Sequence, residues 1–302
     1  MCNRGRALLI VLCHALLATS LVSCANNPAA ESRQRADAWA EKIHASVFYD
    51  VARFKEITDP NPLAIAQLFL GWTAVNDDDL RELAEIKPVV YAIDLPSKAN
   101  NVSAHETHGK LPGVLTDRGM GYLAQLQELR YLGVNDNAIT DAGVAQLSRL
   151  PNLVSLGLAE TEITDDGLAS LKSLSKLKIL DIHNTNITGT GLVPLADNNI
   201  PLEELLAINT KITDQAGVVL GKFSMLTKLW LDRTQVGDES VRALAGLKNL
   251  KILSLHNTQV TDASIPTLEK MTWLEYLGVS GTKITPQGLK RLYKLPPDAN
   301  EK

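Results

Sequence analysis

The chain has 302 residues, of which 45% are hydrophobic, and a formal net charge of -4 at pH 7. That mildly acidic balance argues against nucleic acid as a partner. Its three cysteines, Cys2, Cys13 and Cys24, all stand near the N-terminus, so the rest of the chain has no internal disulfide open to it and must fold on packing alone.

Arg4 and Arg6 make a positive start, and the apolar run Ala7 to Ala18 is broken only by Cys13 and His14. This pattern predicts an export signal over residues 1–23, and the apolar run is too short to span a bilayer comfortably, so a permanent membrane-spanning helix is the weaker reading. Leu21-Val22-Ser23-Cys24 comes directly after it. The tetrapeptide resembles the bacterial lipobox, which implies that Cys24 is lipidated and becomes the first exported residue. An ordinary secretory signal cut nearby is the alternative. Loss of residues 1–23 removes two arginines and no acid, taking the formal charge to -6. Ala25 stands where inner-membrane retention in enteric lipoproteins needs Asp, so the resemblance favours an outer-membrane anchor facing the periplasm or the cell surface.

Residues 24–35 are small and polar and read as a tether. From Ala36 to His44, Ala36, Trp39, Ala40 and Ile43 share one helical stripe, and Ser46 to Tyr49 has strand character. Residues 36–64 are therefore expected to cap the open apolar end of a repeat array that begins near residue 65.

The repeat unit is clearest in Leu153 to Leu171. There, alternating Leu156 and Leu158 predict a short strand, and Thr164-Asp165 starts a segment of helical spacing through Leu168 and Leu171. One such strand and helix cannot bury their own apolar faces, so copies must stack. Leu132, Leu156, Leu180, Leu205, Leu229, Leu253 and Leu277 recur in steps of 24 residues, with one step of 25 beside Asp197-Asn198-Asn199. Five residues after each anchor stand Asn137, Thr161, Thr185, Thr210, Thr234, Thr258 and Thr282. Two degenerate copies come earlier. One runs from Leu68 through Asp77-Asp78-Asp79 to Leu83; the other has its strand at Ile93 and Leu95 and its helix at Thr116 to Leu123. The three Asp are expected to complement the positive end of a helix dipole.

The pattern resembles the leucine-rich repeat, L-x-x-L-x-L-x-x-N/C-x-L, with Thr mostly in the Asn/Cys place. The T-x-I-T-D-x-G-L ending is similar to the ribonuclease-inhibitor-like and cysteine-containing subtypes. The resemblance implies an α/β fold: a right-handed solenoid over residues 65–295, with a parallel concave sheet and convex helices, then a tail at 296–302. A hydroxyl in the Asn/Cys place is expected to bond both its own turn and the next coil.

An insertion at about 97–112 carries His105-Glu106-Thr107-His108. Two His three apart make a metal site conceivable, but no third ligand accompanies them, and a solvated loop is the expectation. No cofactor or metal is assigned.

The outward columns of the strands remain. The central coils carry Ile179, Leu206, Ile208, Trp230 and Ile252 beside Asp181, His183, Asp232 and His256. An exposed Trp among aliphatics with a charged rim has the composition of a protein-binding hot spot. Gly133, Gly157 and Gly278 are expected to leave room at both ends of the face, and Asp232 beside His256 to form an ion pair. The chain is thus expected to be a non-catalytic, lipid-anchored module binding a protein or peptide. Binding of envelope polysaccharide or peptidoglycan, with Trp230, Trp72 and Tyr276 as stacking platforms, is the alternative.

Overall fold

The computed structural model describes residues 34–40, 46–48, 67–69, 75–86, 89–95 and 115–292. The expected export signal, Cys24, Trp72, the His105/His108 insertion and the tail at 296–302 lie outside the described residues.

Ten strands of three residues form one open sheet in chain order: β1 (Ser46–Phe48), β2 (Gln67–Phe69), β3 (Ala92–Asp94), β4 (Tyr131–Gly133), β5 (Ser155–Gly157), β6 (Ile179–Asp181), β7 (Glu204–Leu206), β8 (Lys228–Trp230), β9 (Ile252–Ser254) and β10 (Tyr276–Gly278). The first pair is antiparallel and every later one parallel. Leu68, Ile93, Leu132 and Leu156 are successive register partners, and the series continues to Leu277. The degenerate copies therefore keep the same register as the clear ones. Helical residues 34–40 (α1) bury Trp39, whose indole N–H donates to the Asp79 carbonyl at 2.9 Å.

The opposite side carries α2 (Asp77–Ile86), α3 (Asp117–Leu123), α4 (Asp141–Gln146), α5 (Asp165–Ser170), α6 (Leu192–Asp197), α7 (Asp214–Leu220), α8 (Asp238–Leu244), α9 (Ile265–Leu268) and α10 (Pro286–Leu292). Between the two layers runs a continuous core in which Leu156, Leu180, Leu205, Leu229 and Leu253 are at most 1% exposed. In the last described coil Leu277 is only half-buried, because no further described coil packs on it.

Each strand from β4 onward ends in the same turn. Asp136, Glu160, Asn184, Asn209, Arg233 and Asn257 hold φ between 54° and 58°, and Gly281 holds 71°. The next residue secures that turn: the hydroxyls of Thr161, Thr185, Thr210, Thr234, Thr258 and Thr282 donate to the carbonyl three residues back at 2.6–2.9 Å. Among the described residues the expected bond from these Thr to the neighbouring coil is not found; the short side chain holds its hydroxyl against its own turn, short of the next coil's backbone. Asn137, with a two-ended amide, does both. Its Nδ2 donates to the Val134 and Asn135 carbonyls and its Oδ1 accepts from Leu115 N–H.

The bonds between coils come from the Asp at the helix starts. Asp77, Asp117, Asp141, Asp165, Asp238 and Asp262 each accept the backbone N–H of the Thr one coil on (Thr116, Thr140, Thr164, Thr188, Thr261 and Thr285) at 2.7–3.0 Å, and its hydroxyl as well. Thr116, Thr140, Thr164 and Thr261 then accept an N–H of their own helix, so one hydroxyl caps a helix and ties two coils. The glycine of T-D-x-G makes room: a Cβ on Gly143 or Gly167 would stand 2.3 Å from the carboxylate of the preceding coil's Asp. The ladder is interrupted in the middle of the stack. Thr188-Gly189 replaces Thr-Asp, α6 starts late after Gly191 without a side-chain cap, and Thr213 makes no side-chain capping bond. Asp77 thus does more than face a helix dipole. It is 8% exposed and holds the next coil across the insertion.

Candidate binding face

The pleat turns alternate strand residues outward, and the register stacks them into columns about 4.8 Å apart. Asp181, Leu206, Trp230 and Ser254 are consecutive register partners in the middle column, flanked by Ile179, Glu204, Lys228 and Ile252 in the preceding one. His183, Ile208, Asp232 and His256 stand two residues beyond, where each strand turns away.

Ile179, Leu206, Ile208, Trp230 and Ile252 are half-buried rather than exposed, as are the four polar residues among them. Strand spacing brings each side chain against its neighbour one coil away, so these residues form a shallow strip and not a set of free knobs. Exposed large apolar side chains occur elsewhere among the described residues, at Val218 of α7 and Met225 of the loop after it. Trp230 differs from the other described tryptophans in its polar end. The indoles of Trp39 and Trp273 donate to backbone carbonyls at 2.9 Å, whereas that of Trp230 has no hydrogen-bond partner among the described residues.

The glycines do not leave room. A Cβ on Gly133 would stand 2.7 Å from the Asp94 carboxylate, on Gly157 2.8 Å from the Asn135 amide oxygen, and on Gly278 2.4 Å from the His256 ring. Each absent side chain is replaced by a polar group lying across from the coil before, so both ends of the face are polar floors.

Asp232 and His256 do not form the expected ion pair. Asp232 Oδ1 accepts the His256 backbone N–H at 2.8 Å and the Ser254 hydroxyl at 2.6 Å. The His256 ring turns the other way, with Nδ1 accepting Ser280 N–H and Nε2 3.0 Å from the Tyr276 hydroxyl. Because a backbone N–H can only donate, Nδ1 is bare and Nε2 carries the proton. The histidine of this face that meets carboxylates is His183, whose Nδ1 is 2.7 Å from Asp181 and whose Nε2 is 3.6 Å from Glu160. Glu160 also accepts from Asn184, which in turn accepts from Asn209, making a side-chain ladder along the rim. Lys228 is held by Glu204 at 2.6 Å.

Asp94, at the end of β3, belongs to the same middle column through its partner Gly133. Burial raises its pKa, and among the described residues no donor or cation meets it. Its strand is a degenerate copy, and the only signal that could have marked it is its place two residues after Ala92, in the outward alternation.

Among the described residues no three His, Cys, Asp or Glu side chains are grouped to hold a metal ion, and no helix is long and apolar enough to cross a membrane. The face offers apolar contact, fixed charge and hydrogen-bonding groups, which is equipment for binding.

A leucine-rich-repeat family model matches residues 125–148 and 173–196. Among solved structures the chain is similar to an internalin, InlF, from Listeria monocytogenes. The TM-score is 0.54 at 24% identity, over 72% of this chain and 56% of that one. It is also similar to internalin C2 of the same organism, with a TM-score of 0.55 at 22% identity, over 72% of this chain and 81% of that one. The chain thus spans little more than half the length of the first. A search of curated protein sequences finds no match. At these identities the likeness establishes the fold, a leucine-rich-repeat solenoid.

Proposed function

We propose that this leucine-rich-repeat solenoid is a non-catalytic binding module whose concave face holds a protein or peptide through Trp230 and Leu206. The observation that carries the reading is the state of Trp230. It sits mid-sheet beside Leu206, half-buried, with an indole N–H that meets no partner among the described residues, unlike those of Trp39 and Trp273. A large flat side chain with an apolar body and a free donor suits an interface anchor. Asp181, His183 and the Glu204–Lys228 pair stand around it as orienting charge, which sets specificity and encounter rate more than affinity. Ile179, Ile208 and Ile252 extend the apolar contact, and Asp232 and His256 supply polar groups at its edge. The short convex helices, six or seven residues in α3 to α8, are in keeping with the ribonuclease-inhibitor-like or cysteine-containing subtype.

Trp230→Ala should weaken affinity for a captured polypeptide partner by about 2 kcal/mol or more. Charge reversal at convex Lys172 or Lys248 should leave affinity unchanged. Thermal melting is measured in parallel. A Trp230→Ala protein that melts far lower but binds normally while folded would place the indole in the core and remove it from the site.

The module works, on this reading, outside the cytoplasm on a bacterial membrane, the outer one being favoured, tethered by lipid on Cys24. Support comes from the Arg4/Arg6 start, the apolar run and Leu21-Val22-Ser23-Cys24. Cys24→Ala should abolish incorporation of labelled fatty acid and leave the signal uncleaved. Undiminished labelling would overturn the anchor.

A further inference from the structure

The charge of the concave face is lopsided. From Asp94 to Gly281, the outward columns and the turn positions that end them carry Asp94, Asp136, Glu160, Asp181, Glu204 and Asp232, against only Lys228 and Arg233. Glu204 already takes up Lys228. The opposite rim, just ahead of the strands, has no acidic excess: Lys178 pairs with Glu203 at 3.1 Å, Lys251 with Glu275, and the Arg130 guanidinium lies 5.2 Å over the Tyr91 ring. Negative charge is therefore left over on one side only, where the strands turn into the helices. It flanks the apolar strip formed by Leu206 and Trp230.

This placement has a cost within the free protein. Asp136 and Glu160 occupy neighbouring turn positions and the remaining carboxylates are spaced along the face, while a half-buried one such as Asp94 has given up part of its hydration. Asp181 and Glu160 are partly relieved by His183 between them. Asp94 has no such relief among the described residues, and burial pushes its carboxyl toward the neutral form. A face with more carboxylates than cations beside an apolar strip is complementary to a ligand that brings cations and one large apolar group.

We propose that the occupant of this face is a cationic polypeptide segment. It lays one large apolar side chain against Trp230 and Leu206 and sets lysine or arginine side chains against the carboxylates on the turn side of the strands. The proposal rests on the reading of the face as a polypeptide-binding surface and adds the chemistry of the partner. Asp181 and Trp230 are two strands apart, about 10 Å at the ordinary strand spacing. An extended chain covers that distance in about three residues. The basic residues are therefore expected about three positions from the apolar anchor.

The test is selection of displayed random peptides on the folded domain, with the Trp230→Ala domain as counter-selection and melting checked for both. The expected result is a set of binders that need Trp230, carry net positive charge and place an aromatic or aliphatic residue about three positions from Lys or Arg. Their affinity should fall at least tenfold between about 0.05 and about 0.5 M salt, as screening shortens the reach of the charges. It should also fall several-fold in Asp181→Asn, which keeps the side chain's shape, and stay unchanged in Lys172→Glu. Should Trp230→Ala not fold, Leu206→Asp serves as the counter-selecting domain. Binders that need the concave face but are acidic or uncharged would overturn the cationic partner and leave the binding face standing. A selection yielding no binder dependent on the concave face would overturn both.

Discussion

At the scale of single residues, the fold places costs where its periodicity leaves no choice. At the strand ends, six residues that are not glycine hold left-handed turns, and Glu160 and Arg233 lack the short side chains that tolerate this conformation best. Asp94 is a second such place. Its pKa is raised by burial alone, so the native state binds its proton more readily than the unfolded chain does. For a carboxyl shifted in that direction, the cost to stability is present above the folded pKa and fades as pH falls through it. Asp94→Asn should accordingly raise the melting temperature at pH 7, and the gain should shrink toward zero below about pH 4, where the unfolded carboxyl also becomes protonated. Melting curves of the two proteins across that range decide it. An equal difference at both ends would mean that the substitution acts through packing instead of charge.

At the scale of the repeating element, the T-D-x-G run is a joint between coils. Burial pushes the Asp238 carboxyl up, but hydrogen bonds from the Ser264 and Thr261 hydroxyls and Thr261 N–H, with Arg242 nearby, outweigh it and leave the pKa lowered. Its contribution is fully present above the ordinary carboxyl pKa of about 3.9 and is lost as pH falls through the lower folded value. Asp238→Ala strands the fully buried Ser264 hydroxyl and should cost about 1–3 kcal/mol. Asp166→Ala removes an acid that faces the same kind of helix start but holds no neighbouring coil, and should cost under about 1 kcal/mol. Chemical denaturation of both variants measures the difference. Equal losses would reduce Asp238 to a helix-dipole charge. The joint was hard to read from sequence for a physical reason. Its partners are some 23 residues apart, and an Asp after a Thr at a helix start already has a sufficient local explanation. The strand columns were legible, since Leu132 through Leu277 keep one register and a slip of one residue would turn every core side chain to solvent. Periodicity reports which way a side chain points but not how deep it sits. That is why Trp230 was expected to be exposed and is half-buried, and why the space over Gly157 and Gly278 was expected to be empty and is filled by Asn135 and His256.

At the scale of the whole molecule, one sheet runs unbroken from β1 to β10 and each coil is tied to the next by strand bonds, core leucines and, at most joints, an Asp–Thr pair. Such a body stacks its outward residues rigidly, so a ligand meets a preformed surface and little ordering is needed on the protein side. The fold itself is silent on the partner, since one solenoid hosts many functions and the site decides among them. The central claim is that macromolecular contact occurs at the middle of the concave sheet. The most direct measurement is site-specific photo-crosslinking in the native cell, with p-benzoylphenylalanine replacing Trp230, Leu206 or, on the convex side, Lys172 or Lys248. A discrete polypeptide adduct is predicted from the two concave positions and none from the two convex ones. Adducts from the convex positions alone, or the same adducts from all four, would contradict it.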